Sequence, residues 1–377
     1  MKKNKKYFNS NINIFFNIEE YTKKPNILTR LLTNKLFLTI IFTLTFISVC
    51  ILVNKTFYYG KKVDEYDNLI LKIKKKEETE AKIYTNKEID NNTLRKVAAT
   101  ELINCLNSNI DTNNLPDNIK NIVNEINNYY NESNNYFSFA YKDLFTGFTV
   151  SYNENQQIFA ASTIKAPKDI YIYEMASQNK IDLNEVLTYT SNFYSGGTGI
   201  LQTKPVNTKY KVKELVSYST ITSDNIAHAM LMNRYGRKNM LNYWQEKGTN
   251  TIFTENNIWG PINAHDAIIY MEELYKFYLT NEEYGTEVMN NFLKSYPKFI
   301  TGKNNYSIAS KDGWAGSAIH DISIIFADNP YIVVALSNLG NTEYYQSYFN
   351  KANDLAYKLH IEYWKYKMNL CQNIKQY

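Results

Sequence analysis

Ser162-Thr163-Ile164-Lys165 sets a hydroxyl and an amine three residues apart. On a helix, residues i and i+3 share a face, so the Lys165 amine can reach the Ser162 hydroxyl. A serine hydroxyl is a weak nucleophile without a base beside it. A lysine can be that base only where burial or nearby positive charge lowers its pKa. The start of a helix adds free backbone N–H groups for a developing oxyanion. The chemistry suggested is acyl transfer. The spacing alone says little, because Ser177-Gln178-Asn179-Lys180 and Ser295-Tyr296-Pro297-Lys298 also fit it. The first differs in context: it follows Phe159-Ala160-Ala161 and opens Ile164–Met175, a run apolar enough for a buried helix.

Two further elements follow in order. Ser223-Asp224-Asn225, the only SDN in the chain, falls at the junction of helices expected through Val212–Val216 and Ile226–Arg234. Lys311-Asp312-Gly313, the only Lys-x-Gly, leads into a strand where glycine would leave room for a substrate backbone. Each has a plainer reading taken singly: Ser162 and Asp224 as helix N-caps, Lys311 as a solvated strand end. The four histidines, His228, His265, His320 and His360, show no metal-binding spacing, and no G-x-S-x-G occurs. No metal and no cofactor are expected.

The three elements resemble the SxxK, SDN and KTG set of class A β-lactamases and penicillin-binding proteins. The flanking text supports it: Thr146-Gly147, Ala160-Ala161 before the serine, Ala166-Pro167 after the lysine, and Gly196-Gly197-Thr198-Gly199-Ile200-Leu201-Gln202. The resemblance spans about residues 117–366. It implies that Ser162 is acylated, Lys165 takes its proton, Ser223 passes a proton to the leaving nitrogen and Asn225 binds the substrate amide. It also implies that Lys311 keeps the site positive and that the Ser162 and Trp314 N–H groups form the oxyanion hole. Gly313 would flank the substrate and Asp224 would hold its loop in shape.

Two departures bear on the substrate. The loop Gly248–Gly260 lacks the glutamate-x-x-asparagine pattern that activates the deacylating water in class A enzymes, and Glu255 is its only carboxylate. Slow deacylation is expected. Asp312 stands where the family has Thr or Ser. It either repels a substrate carboxylate or pairs with a nearby cation; a decayed site is a third reading. The expected activity is that of a serine hydrolase acylated by β-lactams or D-amino-acid cell-wall peptides. The alternatives are a non-catalytic penicillin or wall sensor, a β-lactamase using another deacylation base, and an esterase.

The rest of the chain must position these groups. Residues 136–142 and 148–152 read as a hairpin with its turn at Thr146-Gly147. Residues 321–327 and 331–337 read as a second hairpin, and about 343–366 as a long helix. Strands from both ends with helices between predict an α+β fold, an antiparallel sheet flanked by helices with an all-helical lobe. The hydrolase domain is expected over 117–377. Before it, residues 36–53 (LFLTIIFTLTFISVCILV) carry no charge and as a helix would rise about 27 Å, enough to cross a bilayer core. We expect a basic cytoplasmic tail at 1–35, a single-pass anchor at 36–54, a stalk at 55–116 with a short amphipathic helix at 94–106, and a catalytic domain outside the cell membrane. The net charge of +5 is scattered, which argues against nucleic acid as a partner. Cys50 sits inside the apolar run without the context of a lipidation site. The odd count of Cys50, Cys105 and Cys371 argues against a disulfide framework, and their spacing against zinc.

Overall fold

The computed structural model describes Cys105 and residues 115–132, 137–250, 258–301, 303, 305–340, 342 and 344–372. The chain divides into two units, Met1–Ile89 and Asp90–Tyr377, and every described residue belongs to the second. The expected tail and anchor lie outside the described residues, as do the stalk and its short helix except for Cys105 and Leu115-Pro116. Among the described residues no helix is long and apolar enough to cross a membrane.

Five strands form the main sheet: β1 (Phe137–Asp143), β2 (Thr149–Tyr152), β7 (Ser307–Ala315), β8 (Ala318–Phe326) and β9 (Tyr331–Ser337). Their order is β2-β1-β9-β8-β7, with all neighbours antiparallel. The central strand explains its own composition. Ile332, Val334 and Leu336 of β9 face one core while Tyr331, Val333 and Ala335 face another. A strand covered on both faces needs an unbroken apolar run, which Tyr331–Leu336 supplies. One face is covered by helices α1 (Asp117–Asn131) and α8 (Tyr345–Gln372). Ile119, Ile122, Ile126 and Tyr130 of α1 recur at helical spacing and are buried there.

The other face carries the helical lobe: α2 (Lys165–Ser177), α3 (Val212–Ile221), α4 (Asn225–Tyr235), α5 (Arg237–Glu246), α6 (Ala264–Thr280) and α7 (Glu282–Lys294). The short pairs β3 (Ile158–Phe159) with β6 (Pro261–Ile262), and β4 (Val186–Thr188) with β5 (Lys209–Lys211), brace its loops. Helix α2 is buried on all sides from Lys165 to Ala176. The expected α+β architecture is what the chain adopts. One expectation is overturned: Cys105 and Cys371 form a disulfide, closing 266 residues of sequence.

Candidate active site

The strand-to-helix passage between β3 and α2 differs from a helix opening at Ser162. Residues Ala161–Ile164 form a 3-10 turn and the α-helix begins at Lys165. Pro167 explains the start: proline has no N–H and is tolerated only in a helix's first turn. Ala161 takes a positive φ of 48°, a costly conformation for a residue with a Cβ. The turn is pinned from outside. Thr163 Oγ1 donates to the Ala160 carbonyl at 2.5 Å. His320 of β8 contacts the Phe159 carbonyl through Nε2 at 2.8 Å. The Ser337 N–H donates to His320 Nδ1 at 3.1 Å, so the ring's remaining proton lies on Nε2, aimed at Phe159.

Ser162, Lys165, Ser223, Asn225 and Lys311 converge. Lys165 Nζ lies 2.9 Å from Ser162 Oγ, 3.1 Å from Ser223 Oγ, 2.7 Å from the Ser223 carbonyl and 2.7 Å from Asn225 Oδ1. An ammonium has three protons and meets four acceptors here. Either protonation state has three hydrogen-bond positions for these four neighbours, so one contact is shared; in the neutral form the lone pair can accept the Ser162 hydroxyl proton. Burial holds Lys165 well below the ordinary lysine range, and the charges of Lys311 and Lys168 lower it further. Lys311 Nζ reaches Ser223 Oγ at 3.2 Å, so Ser223 joins the two amines.

The SDN loop is held by its middle residue. Asp224 caps α4, accepting from the Ile226 and Ala227 N–H groups at 2.9 Å, and accepts from the Leu201 N–H at 2.7 Å. Ser223 has a positive φ of 54°, which turns it toward the lysines. Asn225 Nδ2 donates to the Gly196 carbonyl at 2.7 Å, tying the 196–202 loop to the site.

Gly313 and Asp312 are each set by close neighbours. A Cβ on Gly313 would stand 3.0 Å from the Ser162 nitrogen and 2.7 Å from the Thr163 nitrogen. The glycine therefore makes room for the nucleophile's own backbone. Asp312 forms a buried ion pair with its neighbour, Oδ1 to Lys311 Nζ at 2.5 Å, with side chains 2% and 0% exposed. It is the pairing alternative that the chain adopts, and Lys311 is correspondingly less of a free positive charge than the resemblance implied.

Sequence reasoning missed a second buried pair beneath the site. Lys168 and Asp169 of α2 lie 3.0 Å apart, Lys168 donates to Ser219 Oγ at 2.6 Å, and Ser219 and Thr220 donate to Asp169 at 2.8 and 2.9 Å. Burial pushes Lys168 down and Asp169 up, against their mutual attraction. The available signal was charged residues inside an otherwise apolar helix, where burial requires a partner.

The hydroxyl of Ser162 opens on a cavity of about 570 Å³ lined by Phe159, Gly197, Thr198, Asn225, Trp259 and Trp314, among others. The Trp259 ring lies 5.3 Å from Lys165 Nζ and packs against His228 of α4. Phe159 and Trp314 are 46% and 47% exposed. Glu255 lies outside the described residues. Among the described residues no cluster of His, Cys, Asp and Glu could hold a metal ion.

Residues 120–359 match the model of the β-lactamase enzyme family. Among solved structures, the chain is similar to PBP-A at 18% identity, covering 64% of this chain and 96% of that one with a TM-score of 0.60. A β-lactamase from Sphaerobacter thermophilus is similar at 15% identity, 64% and 95% coverage and a TM-score of 0.56. An ancestral class A β-lactamase gives 15%, 64% and 99%, and 0.55. At these identities the structures speak for the fold alone. A comparison with curated protein sequences finds no match.

Proposed function

The chain belongs to the β-lactamase enzyme family, and on that premise we propose that Ser162 is the acylated nucleophile of a serine hydrolase acting on β-lactams or D-amino-acid cell-wall peptides. The observation that carries this is Lys165 Nζ at 2.9 Å from Ser162 Oγ, with Ser223 joining Lys165 to Lys311. Neutral Lys165 takes the hydroxyl proton as Oγ bonds to the substrate carbonyl carbon. The Ser162 and Trp314 N–H groups receive the oxyanion. As the C–N bond breaks, Ser223 relays a proton from Lys165 to the leaving nitrogen, and Asn225 orients the substrate amide. Water then hydrolyses the ester. The loop Gly248–Gly260 lacks the glutamate-x-x-asparagine pattern of class A enzymes, which supports slow deacylation and a penicillin-binding rather than a resistance role. PBP-A is recorded as an acyl-enzyme complex with penicillin G in one variant, chemistry of the kind proposed for this chain.

The proposal includes a single-pass anchor at residues 36–54, with residues 1–35 in the cytoplasm and the catalytic domain outside. The uncharged apolar run supports the anchor. The Cys105–Cys371 disulfide supports an oxidising compartment for the domain. Intact mass of the full chain after exposure to penicillin tests the chemistry. One adduct on Ser162, absent from Ser162→Ala, is expected; an undiminished adduct in that variant would exclude Ser162 as the nucleophile. Protease added to wall-stripped cells should remove the domain, and its protection would reverse the topology.

A further inference from the structure

The buried charges flanking Ser162 are all paired, with the lysine ends acting more strongly on Lys165 than the carboxylate ends. Lys311 is paired with Asp312 and Lys168 with Asp169, and each pair sums to zero whether or not a proton moves between its members. Lys165 serves as base in its neutral form. The described residues lining the cavity carry no charged side chain. Two of its walls, Phe159 and Trp314, present half-exposed rings, and Trp259 closes a third side. A substrate carboxylate entering such a cleft loses water and meets no unpaired cation in return, which costs far more than placing a neutral group there. Aromatic walls instead favour apolar groups.

We propose that, among acyl donors reacting with Ser162, this cleft prefers those uncharged on the leaving-group side and apolar on the acyl side, such as amidated peptides or neutral esters, over those bearing a carboxylate there, which includes penicillin and free D-amino-acid peptides, and that the Asp312 carboxylate sets this preference by engaging Lys311. The inference rests on the proposed role of Ser162. Asp312 acts as a specificity determinant: of the two lysines that Ser223 joins, it engages Lys311, while Lys165 serves as the base.

The test uses the full-length chain and two phenylacetyl thioesters. In one the thiol leaving group ends in a carboxylate; in the other that carboxylate is a methyl amide. Ser162 Oγ bonds to the thioester carbon, the C–S bond breaks, and the hydroxyl proton leaves on the thiol, which a chromogenic disulfide reports. Water then releases phenylacetate. The neutral compound should show kcat/KM at least tenfold higher. In Asp312→Thr the ratio should fall toward one or invert, because Lys311 then presents its charge. Should Asp312→Thr fail to fold, Phe159→Ala provides a second variant. It should lose about tenfold of the preference for phenylacetyl over acetyl in the neutral series. Equal or faster reaction of the carboxylate compound in the unaltered chain would overturn the proposal. Thiol release that persists in Ser162→Ala, or is absent with both compounds, would instead overturn the assignment of the nucleophile.

Discussion

Gly313 and Ser162 meet backbone to backbone, so closely that a Cβ on Gly313 would fall 3.0 Å from the Ser162 nitrogen. The atoms in the way are main chain on all sides, including the Ala160 carbonyl oxygen at 3.0 Å, and cannot rotate aside. Gly313→Ala must therefore push β7 and the Ser162 turn apart. Overpacking of this kind costs roughly 1–3 kcal/mol. Acylation should suffer more than stability, because the displaced atoms include the N–H proposed for the oxyanion. A fall in acylation rate of about 100-fold with modest loss of Tm is expected. An unchanged acylation rate would show that the contact does not constrain the reacting geometry.

The pH profile of acylation reports on Lys165. Its pKa is lowered by burial and then by Lys311 and Lys168. The active form is the neutral amine. The rate should rise with pH through the lowered pKa and level off well short of the region where a free lysine loses its proton. Lys168→Gln removes one of the positive neighbours while keeping a donor for Ser219. The rise should move to higher pH, since Lys165 then holds its proton more tightly. A profile that stays in place would mean that Lys168 does not act on the base.

The sequence makes the sheet and the main site residues legible for reasons that differ. Alternation is absent from Tyr331–Leu336 because both faces are covered, but the run is short and bounded by Asn329-Pro330, so it still reads as a strand. Ser162 and Lys165 are legible through local spacing, even though the turn holding Ser162 is 3-10 and not α. The pairing of Lys311 with Asp312 is legible only as one alternative among several, because neighbours on a strand point to opposite faces and only the length of the lysine allows it to curl back. Lys168 and Asp169 pass unnoticed because a charged pair in sequence looks like a solvated turn of helix. The Cys105–Cys371 bond leaves no local signal at a separation of 266 residues.

That disulfide ties the segment before α1 to the end of α8. Closing so long a loop restricts the unfolded chain, and loss of such a bond costs about 2–5 kcal/mol. Cys105→Ser, or reduction of the unaltered chain, should lower the midpoint of unfolding in urea. Penicillin labelling of the folded fraction should be unaffected, because neither cysteine lies in the site. A midpoint insensitive to reductant would mean that the bond constrains little.

Neighbouring residues on β8 should tilt the stability curve in opposite directions. Burial lowers His320 to about 4 from 6.5. The folded state then binds fewer protons than the unfolded state, so this histidine's contribution is lost as pH falls from 6.5 toward 4. At 1.36 kcal/mol per unit the loss is about 3 kcal/mol. Protonation would also cancel the lone pair that accepts the Ser337 N–H. Burial raises Asp321 to about 6 from 3.8, against hydrogen bonds from the Phe299 and Ile300 N–H groups and Ser323. Here the folded state binds more protons, so stability falls as pH rises from 3.8 to 6, again by about 3 kcal/mol. The two nearly offset between pH 4 and 6. Chemical unfolding at intervals from pH 4 to 7 separates them. His320→Gln should leave a chain that gains stability relative to wild type on acidification. Asp321→Asn should leave one that loses it. Parallel curves for both variants and the wild type would show that neither group changes its protonation on folding.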